Sequence, residues 1–226
     1  MLLLAIDTST SAITVALRGE GVAASATVLD ARGHSEHVAP LIERCLASAG
    51  RTPAEVTGVV VGNGPGPFTG LRVGIVTGLV FGHARGVPVH GVCSLDALAA
   101  DAAPLVGRGE LLVATDARRK EVYWARYAVE TVDASTPERL VTRRLTEPAV
   151  DRPADLPDDV RALPAAGRGP VLFPDLFPHA IGVLDVQAAT LAALAEERLD
   201  GGEDMPVEPL YLRRPDALTT AERGAR

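Results

Sequence analysis

Residues 62–72 read GNGPGPFTGLR, and residues 73–86 continue the pattern as VGIVTGLVFGHARG. Glycine recurs at every fourth position from Gly66 to Gly86, and the stretch follows a short apolar run rich in valine. This order predicts a buried strand, a tight turn and then a helix over about residues 69–85. Each glycine inside a helix costs roughly 1 kcal/mol relative to alanine, so the repeated spacing predicts close backbone approach to a neighbouring element.

The predicted helix is apolar around its whole circumference, because Thr77 is the only polar side chain between Val73 and Phe81. A helix of this composition is typical of one that is buried on both sides. We therefore expect one face to pack on a sheet and the other to pack on a second helix or on a partner protein.

The first half of the chain alternates strand and helix patterns, which predicts a mixed sheet covered by helices and so an α/β fold. Strands are predicted at 21–29, 57–62 and 87–92, and helices at 34–49, 69–85 and 94–102. Helix 34–49 carries its apolar residues at helical spacing and is followed by Gly50, a typical stop. In the second half, the clearest helix pattern lies at 186–199, with Asp185 as its predicted N-cap.

The chain contains an internal duplication, because residues 2–17, LLLAIDTSTSAITVAL, are similar to residues 111–126, LLVATDARRKEVYWAR. The match aligns Asp7 with Asp116, and each copy has an apolar strand, an aspartate, a short polar turn and a second strand. This predicts two β-hairpins with an acid at the end of the first strand. The predicted domains are an N-terminal lobe at 1–103 completed by about 205–215, a smaller second lobe at 104–204, and a flexible tail at 216–226.

Composition argues against a large nucleic-acid surface, because the net charge is −7, from 22 basic and 29 acidic residues. Phosphate binding normally needs a basic stripe, so we expect any RNA to be held mostly by a partner. No apolar run approaches the roughly 18 residues of a membrane span. The two cysteines, Cys45 and Cys93, fall on predicted core-facing positions of different elements, which favours buried free thiols and a cytoplasmic protein.

Several motifs resemble those of the bacterial TsaB (YeaZ-type) family, in the family's order and over nearly the whole chain. GPGPFTGLR resembles the signature GPGSFTGLR, and the other matches are LAIDTST (4–10), HSEHVAPLI (34–42), GVCSLDALA (91–99), DARRKEVYWARY (116–127) and EPLYLR (208–213). The chain departs from the family at Pro67, where serine is usual, at Asn63, where arginine is frequent, and over about 131–185. The resemblance implies a duplicated actin-like fold of the ASKHA or RNase H-like type.

The resemblance also implies a function. TsaB proteins are non-catalytic dimerisation subunits of the complex that makes threonylcarbamoyladenosine in tRNA, so no catalytic residue and no cofactor are expected here. The implied partner is TsaD, which transfers threonylcarbamoyl to N6 of the adenosine beside the anticodon, and a TsaE-type ATPase would engage the pair. The chain would meet tRNA only indirectly, and a homodimer could form when TsaD is absent.

The implied partner interface uses helices 34–49 and 69–85, packed as a four-helix contact. Its expected residues are His34, His37, Val38, Leu41, Ile42, Cys45, Arg72, Val73, Gly74, Val76, Thr77 and Val80. We expect Gly74→Leu or Val76→Glu to abolish pairing while leaving the monomer largely folded.

Two rival functions are an active actin-like ATPase or kinase and a TsaD-like metalloprotein. An actin-like kinase needs glycine after its aspartates so that backbone N–H groups can approach the phosphates. Asp7 is followed by Thr8 and Ser9, and Asp116 by Ala117 and Arg118. Turn and capping roles are therefore favoured over nucleotide binding at both aspartates. The Gly-Pro loop likewise lacks the Gly-Lys-Ser/Thr ending of a P-loop.

A metal site is not favoured either. His34 and His37 lie on one predicted helical face with Glu36, but a site needs at least a third ligand. The HxxxH motif of the TsaD paralogue does not occur in this sequence. The run from Arg118 to Lys120 is interpreted as a solvated hairpin tip, with a phosphate contact to a partner-bound nucleotide or tRNA as the alternative.

Overall fold

The fold is described by a computed structural model covering residues 1–19, 21–31, 33–132 and 139–213. The tail predicted at 216–226 lies outside these residues. The first half forms β1 (Leu3–Asp7), β2 (Ala12–Gly19), β3 (Val22–Leu29), α1 (His34–Ser48), β4 (Gly58–Gly62), α2 (Phe68–Arg85), β5 (Val89–Val92) and α3 (Ser94–Val106). The second half forms β6 (Gly109–Asp116), β7 (Val122–Val132), β8 (Arg139–Arg144), β9 (Ala149–Asp151), α4 (Asp158–Arg161), β10 (Ala165–Ala166), α5 (Gly169–Leu172) and α6 (Ala188–Asp200).

The two sheets repeat one topology, which confirms the predicted duplication. The first sheet has the order β3-β2-β1-β4-β5, and the second contains β8-β7-β6-β10, with β9 also paired to β7. In each sheet the opening hairpin is antiparallel and a later strand adds parallel to its first strand, β4 beside β1 and β10 beside β6. Asp7 and Asp116 occupy the last position of β1 and β6, as the sequence predicts.

Alternation along β1 explains how the layers stack. Leu3 and Ala5 face an apolar cluster shared with α3, α6 and the second sheet, whereas Leu4 and Ile6 face a cluster shared with α1. Helices α3 and α6 therefore contribute to the core between the two sheets, and α1 and α2 cover the opposite face of the first sheet. Helix α6 lies within the predicted second lobe at 104–204, but it packs on β1 and β2 of the first sheet. The predicted lobe boundaries therefore stay a prediction.

A buried ion cluster joins the central helices to the second sheet. The Asp96 carboxylate on α3 accepts hydrogen bonds from Tyr127 Oη (2.9 Å), Arg144 Nη2 (2.7 Å) and Arg198 Nη2 (2.8 Å). Burial raises the pKa of the neighbouring Cys93 thiol to about 12, and the Asp96 charge adds to the shift. Both cysteines are buried free thiols, as predicted.

The N-cap predicted for the last helix is wrong. Helix α6 begins at Ala188 with Gln187 in the cap position, and Gln187 makes no side-chain capping bond. Asp185 instead accepts two hydrogen bonds from Arg168, at 2.7 and 2.6 Å. A charge-assisted bidentate pair is stronger than a single capping bond, so Asp185 is held away from the helix end.

After α6, the chain returns to the first sheet. Gly91 N–H donates to the Met205 carbonyl (2.9 Å), and Leu210 N–H donates to the Asn63 carbonyl (2.8 Å). Residues 205–213 therefore lie beside β5 and the Gly-Pro loop. Of the helices in the described ranges, none combines the length and the sustained apolar composition of a membrane span.

Candidate functional site

The glycine ridge of α2 is the face that packs on the first lobe. A Cβ at Gly78 would overlap the Val61 side chain of β4, and a Cβ at Gly82 would overlap Val89 of β5. The predicted close approach is therefore confirmed, since glycine is what allows α2 to lie directly on the sheet.

The tip of the first hairpin is fixed to the same ridge. The Thr8 hydroxyl donates to the Gly70 carbonyl (2.7 Å) and accepts from Gly74 N–H (2.9 Å). A Cβ at Gly74 would overlap this hydroxyl. That Gly74→Leu leaves the monomer largely folded stays a prediction, and this overlap argues for a loss of stability, because the added side chain would enter a filled space.

The opposite side of α2 is exposed, so the monomer leaves open the face that the sequence predicts to pack on a second helix or on a partner protein. Val76, Leu79 and Val80 keep 49%, 43% and 62% of their accessible surface. With Arg72 and His83 they form one stripe at helical spacing, which we call the α2 outer face. Val73 and Thr77 lie half-buried on this helix. A contiguous exposed apolar stripe of this kind is typical of a protein contact site.

The structure separates the residues predicted for the interface into two groups. The side chains of Val38, Leu41, Ile42 and Cys45 are buried inside the protomer, where the α1 apolar stripe packs on the first sheet. His34 is buried too and donates from Nε2 to the Thr10 carbonyl (3.1 Å), while half-buried His37 contacts Asp30 through Nε2 (3.2 Å). Helical periodicity identified the apolar stripe of α1 but could not tell whether its own sheet or a partner covers it. The exposed residues of α1 are Ser35, Glu36, Ala39, Pro40, Glu43, Arg44, Ala47 and Ser48.

Asp7 is sealed from solvent. Its Oδ1 accepts from the backbone N–H and the hydroxyl of Ser9 (2.8 and 2.7 Å), and its Oδ2 accepts from Ser94 Oγ (2.6 Å). Burial raises the pKa of the Asp7 carboxyl, and the bonds from Ser94 and Ser9 oppose that rise. A Cβ at Gly62 would overlap this carboxylate, so the glycine that ends β4 makes room for it. Because Asp7 is completely buried and both of its oxygens already accept hydrogen bonds, its carboxylate does not open onto a ligand site.

Asp116 lies half-buried at the matching place of the second hairpin. Its Oδ1 accepts from Arg118 N–H (2.7 Å), and its Oδ2 lies 3.0 Å from Arg118 Nη1. The cavity beside it has a volume of about 10 Å³ and is lined by Thr10, Ser11, Pro67, Thr115, Arg118, Arg168 and Leu184. This space holds about one water molecule, far less than a nucleotide needs.

A metal centre receives no support from the geometry. Within the described ranges, no three histidine, cysteine, aspartate or glutamate side chains come close enough to share an ion. The residues that sequence reasoning missed are Thr8, Gly62 and Ser94, which hold the first hairpin tip in place. The glycine at the end of β4 and the serine in GVCSLDALA are visible in the sequence, but nothing in the spacing says that they meet Asp7.

Comparisons with known proteins agree on one group. A family model described as TsaD, tRNA N6-adenosine threonylcarbamoyltransferase, matches residues 18–158. An uncharacterized protein of Mycobacterium tuberculosis is 40% identical over 224 residues, which cover 96% of this chain and 94% of that protein. The tRNA threonylcarbamoyladenosine biosynthesis protein TsaB of Escherichia coli is 39% identical over 129 residues, 56% of this chain and 55% of that protein.

A solved structure extends the similarity to the whole fold. YeaZ from Pseudomonas aeruginosa superposes with a TM-score of 0.77 at 31% identity, and the match covers 93% of this chain and 99% of that chain. With the repeated sheet topology, this shows the duplicated actin-like (RNase H-like) α/β fold that the sequence predicts.

Proposed function

Because the chain belongs to the family that the TsaD model describes, and within it to the TsaB (YeaZ-type) proteins, we propose that it is a non-catalytic subunit for threonylcarbamoylation of tRNA. In this proposal it pairs with TsaD, which transfers threonylcarbamoyl to N6 of the adenosine beside the anticodon. A TsaE-type ATPase acts on the pair, and the work takes place in the cytoplasm, where tRNA is modified.

The α2 outer face is the observation that carries the proposed pairing. Burying one valine or leucine side chain is worth about 1.5–3 kcal/mol, so leaving Val76, Leu79 and Val80 exposed forgoes several kcal/mol in the monomer. The glycine ridge explains why the helix cannot turn this face inward, since only glycines fit against β4 and β5. A partner helix can bury the stripe without changing how α2 sits on its own lobe.

The small exposed residues of α1 suit the same contact. Ala39, Pro40 and Ala47 are exposed, and α1 packs beside α2 on the first sheet. Small residues allow another helix to approach closely, so α1 and α2 together offer a surface for two helices of TsaD. The same surface would support a homodimer when TsaD is absent.

The two aspartate sites support a non-catalytic role. Asp7 is enclosed by Ser9 and Ser94, and the cavity that Asp116 itself lines is too small for a nucleotide. An active actin-like ATPase would need both aspartates to reach one nucleotide-sized cleft.

The test of pairing is co-expression of Val76→Glu with TsaD from the same organism. Burying the new carboxylate in the contact costs several kcal/mol, so association should weaken at least about a hundredfold. The circular dichroism and melting temperature of the isolated chain should stay close to the unchanged protein, because Val76 is exposed. The matched control is Leu105→Glu, a more exposed apolar residue near the end of α3.

Modification of tRNA measured in the same preparations completes the test. Activity should be lost with Val76→Glu and kept with Leu105→Glu. Co-purification of Val76→Glu at the normal ratio would overturn the α2 assignment, and ATP turnover by this chain alone would overturn its non-catalytic role.

A further inference from the structure

The tip of the second hairpin is an exposed basic point on an acidic protein. Arg118, Arg119 and Lys120 are all exposed, although the chain has a net charge of −7. All three have left-handed backbone conformations, with φ of 61°, 54° and 63°. Non-glycine residues rarely adopt this conformation, and strained loops of this kind cluster at functional sites. The loop therefore holds three cations at the tip, where glycine or asparagine would be less strained.

A hollow next to this tip joins arginines with aromatic rings. It has a volume of about 320 Å³ and is lined by Gly66, Pro67, Phe68, Ala117, Arg118, Arg119, Tyr123, Tyr211, Leu212 and Arg213. Three of the eight aromatic residues of the chain are in this lining, and no carboxylate is. Arginines beside exposed aromatic faces are the composition by which proteins hold single-stranded nucleic acid.

Ion pairs hold two of the arginines in place but do not use all of their N–H donors. Arg118 pairs with Asp116, and Arg213 pairs with Glu121. A guanidinium has five N–H donors, so each keeps donors for a phosphate after its carboxylate is satisfied. The pairs hold the arginines in fixed directions, which lowers the entropy lost on binding a phosphate.

The aromatic wall of the hollow is ordered by ring contacts. The Phe68 and Tyr211 rings lie 5.1 Å apart at 39°, and the Arg72 guanidinium lies 5.0 Å from the Phe68 centroid. Arg72 belongs to the α2 outer face, so the hollow adjoins the proposed TsaD contact. A ligand held there would lie at the edge of the paired proteins.

We propose that the second hairpin tip and this hollow form a direct contact with RNA. Phosphates bind Arg119 and Lys120, and an unpaired base stacks on Tyr211. The inference rests on the proposed function only for the choice of tRNA as the RNA. An RNA strand fits better than a free nucleotide, because a strand can span both the exposed tip and the hollow.

The test measures binding of labelled tRNA over a series of salt concentrations, with the isolated chain and with the chain paired to TsaD. The variant is Arg119→Glu with Lys120→Glu. Its affinity for tRNA should fall about tenfold or more at low salt. The slope of log binding constant against log salt concentration is negative, and its magnitude should become smaller by roughly 1.4–1.8. The matched control is Arg139→Glu with Arg143→Glu, an equal charge change on β8, which should keep the slope.

Tyr211→Ala separates stacking from charge. It should weaken tRNA binding about tenfold and leave the salt slope unchanged, because stacking does not release counterions. The inference is overturned if the tip variant and the β8 control behave alike, or if ADP or ATP displaces tRNA from the hollow. Loss of TsaD pairing with tip-dependent RNA binding intact would contradict the proposed function and leave this inference standing.

Discussion

The two hairpins of the duplication share a backbone plan but have opposite environments. Both have an aspartate at the end of the first strand, paired across the hairpin with Thr14 in one case and Val122 in the other. In the first hairpin, Asp7 and Thr8 are buried and their side chains are hydrogen-bonded, whereas the second tip has three exposed basic side chains. The two hairpins therefore share the same strand pairing, but one tip is buried against α2 and the other is exposed to solvent.

The helices that come after the parallel strands explain the difference between the tips. After β4 comes α2, an 18-residue helix whose glycines accept the first tip. After β10 comes α5, with four residues, which is too short to cover the second tip. Gly167 and Gly169 in this stretch lie against the Ala114 backbone of β6, so the loop resembles the Gly-Pro loop, but no long helix extends from it. The second tip is thus left in solvent.

The largest effect is expected where the first tip meets α2. Gly74→Leu should lower the free energy of unfolding by roughly 1–3 kcal/mol or more, because the side chain would displace Thr8 from the helix. Chemical denaturation of the isolated chain measures this. The control is Ala84→Leu, an exposed position of the same helix, which should change stability by less than about 0.5 kcal/mol. Equal stability of the two variants would mean that the ridge is not a close contact.

The two aspartates provide the next comparison. Asp7→Ala should cost about 1–3 kcal/mol, since the backbone N–H of Ser9 and the hydroxyl of Ser94 lose their buried acceptor. Asp116→Ala should cost less than about 1 kcal/mol, because its partner Arg118 is exposed to water. Urea denaturation of both variants checks the order, and an equal or larger loss for Asp116→Ala would remove the contrast between the tips.

The smallest effect concerns strain in the second tip. Arg119→Asn should raise the free energy of unfolding by up to about 1 kcal/mol, because asparagine tolerates the left-handed conformation better than arginine does. The same change at Arg143, within strand β8, should be neutral or destabilising, since asparagine is disfavoured in strands. Thermal unfolding of the pair measures the difference, and a loss of stability for Arg119→Asn would show that the tip is not strained.

Much of this molecule could be predicted from its residues. Periodicity located α1 and α2 to within a residue, because apolar spacing directly reflects which side of a helix is buried. Internal similarity found the two hairpins and both aspartates. The boundary of α6 was missed because capping competes with a distant ion pair, and Arg168 lies 17 positions from Asp185 along the chain.

The sequence by itself determined the duplication, the α/β class, the glycine ridge and the absence of loop glycines after Asp7 and Asp116, since each is written in local spacing and residue type. Only the tertiary structure decided that Val76 and Val80 of α2 face outward while Val73 is half-buried, and that α1 covers its own sheet. It also decided that Asp7 is closed by Ser94 and that Arg118, Arg119 and Arg213 meet Tyr211 beside one hollow. Local pattern records that a side chain is buried, whereas the identity of what covers it depends on segments far apart in the chain.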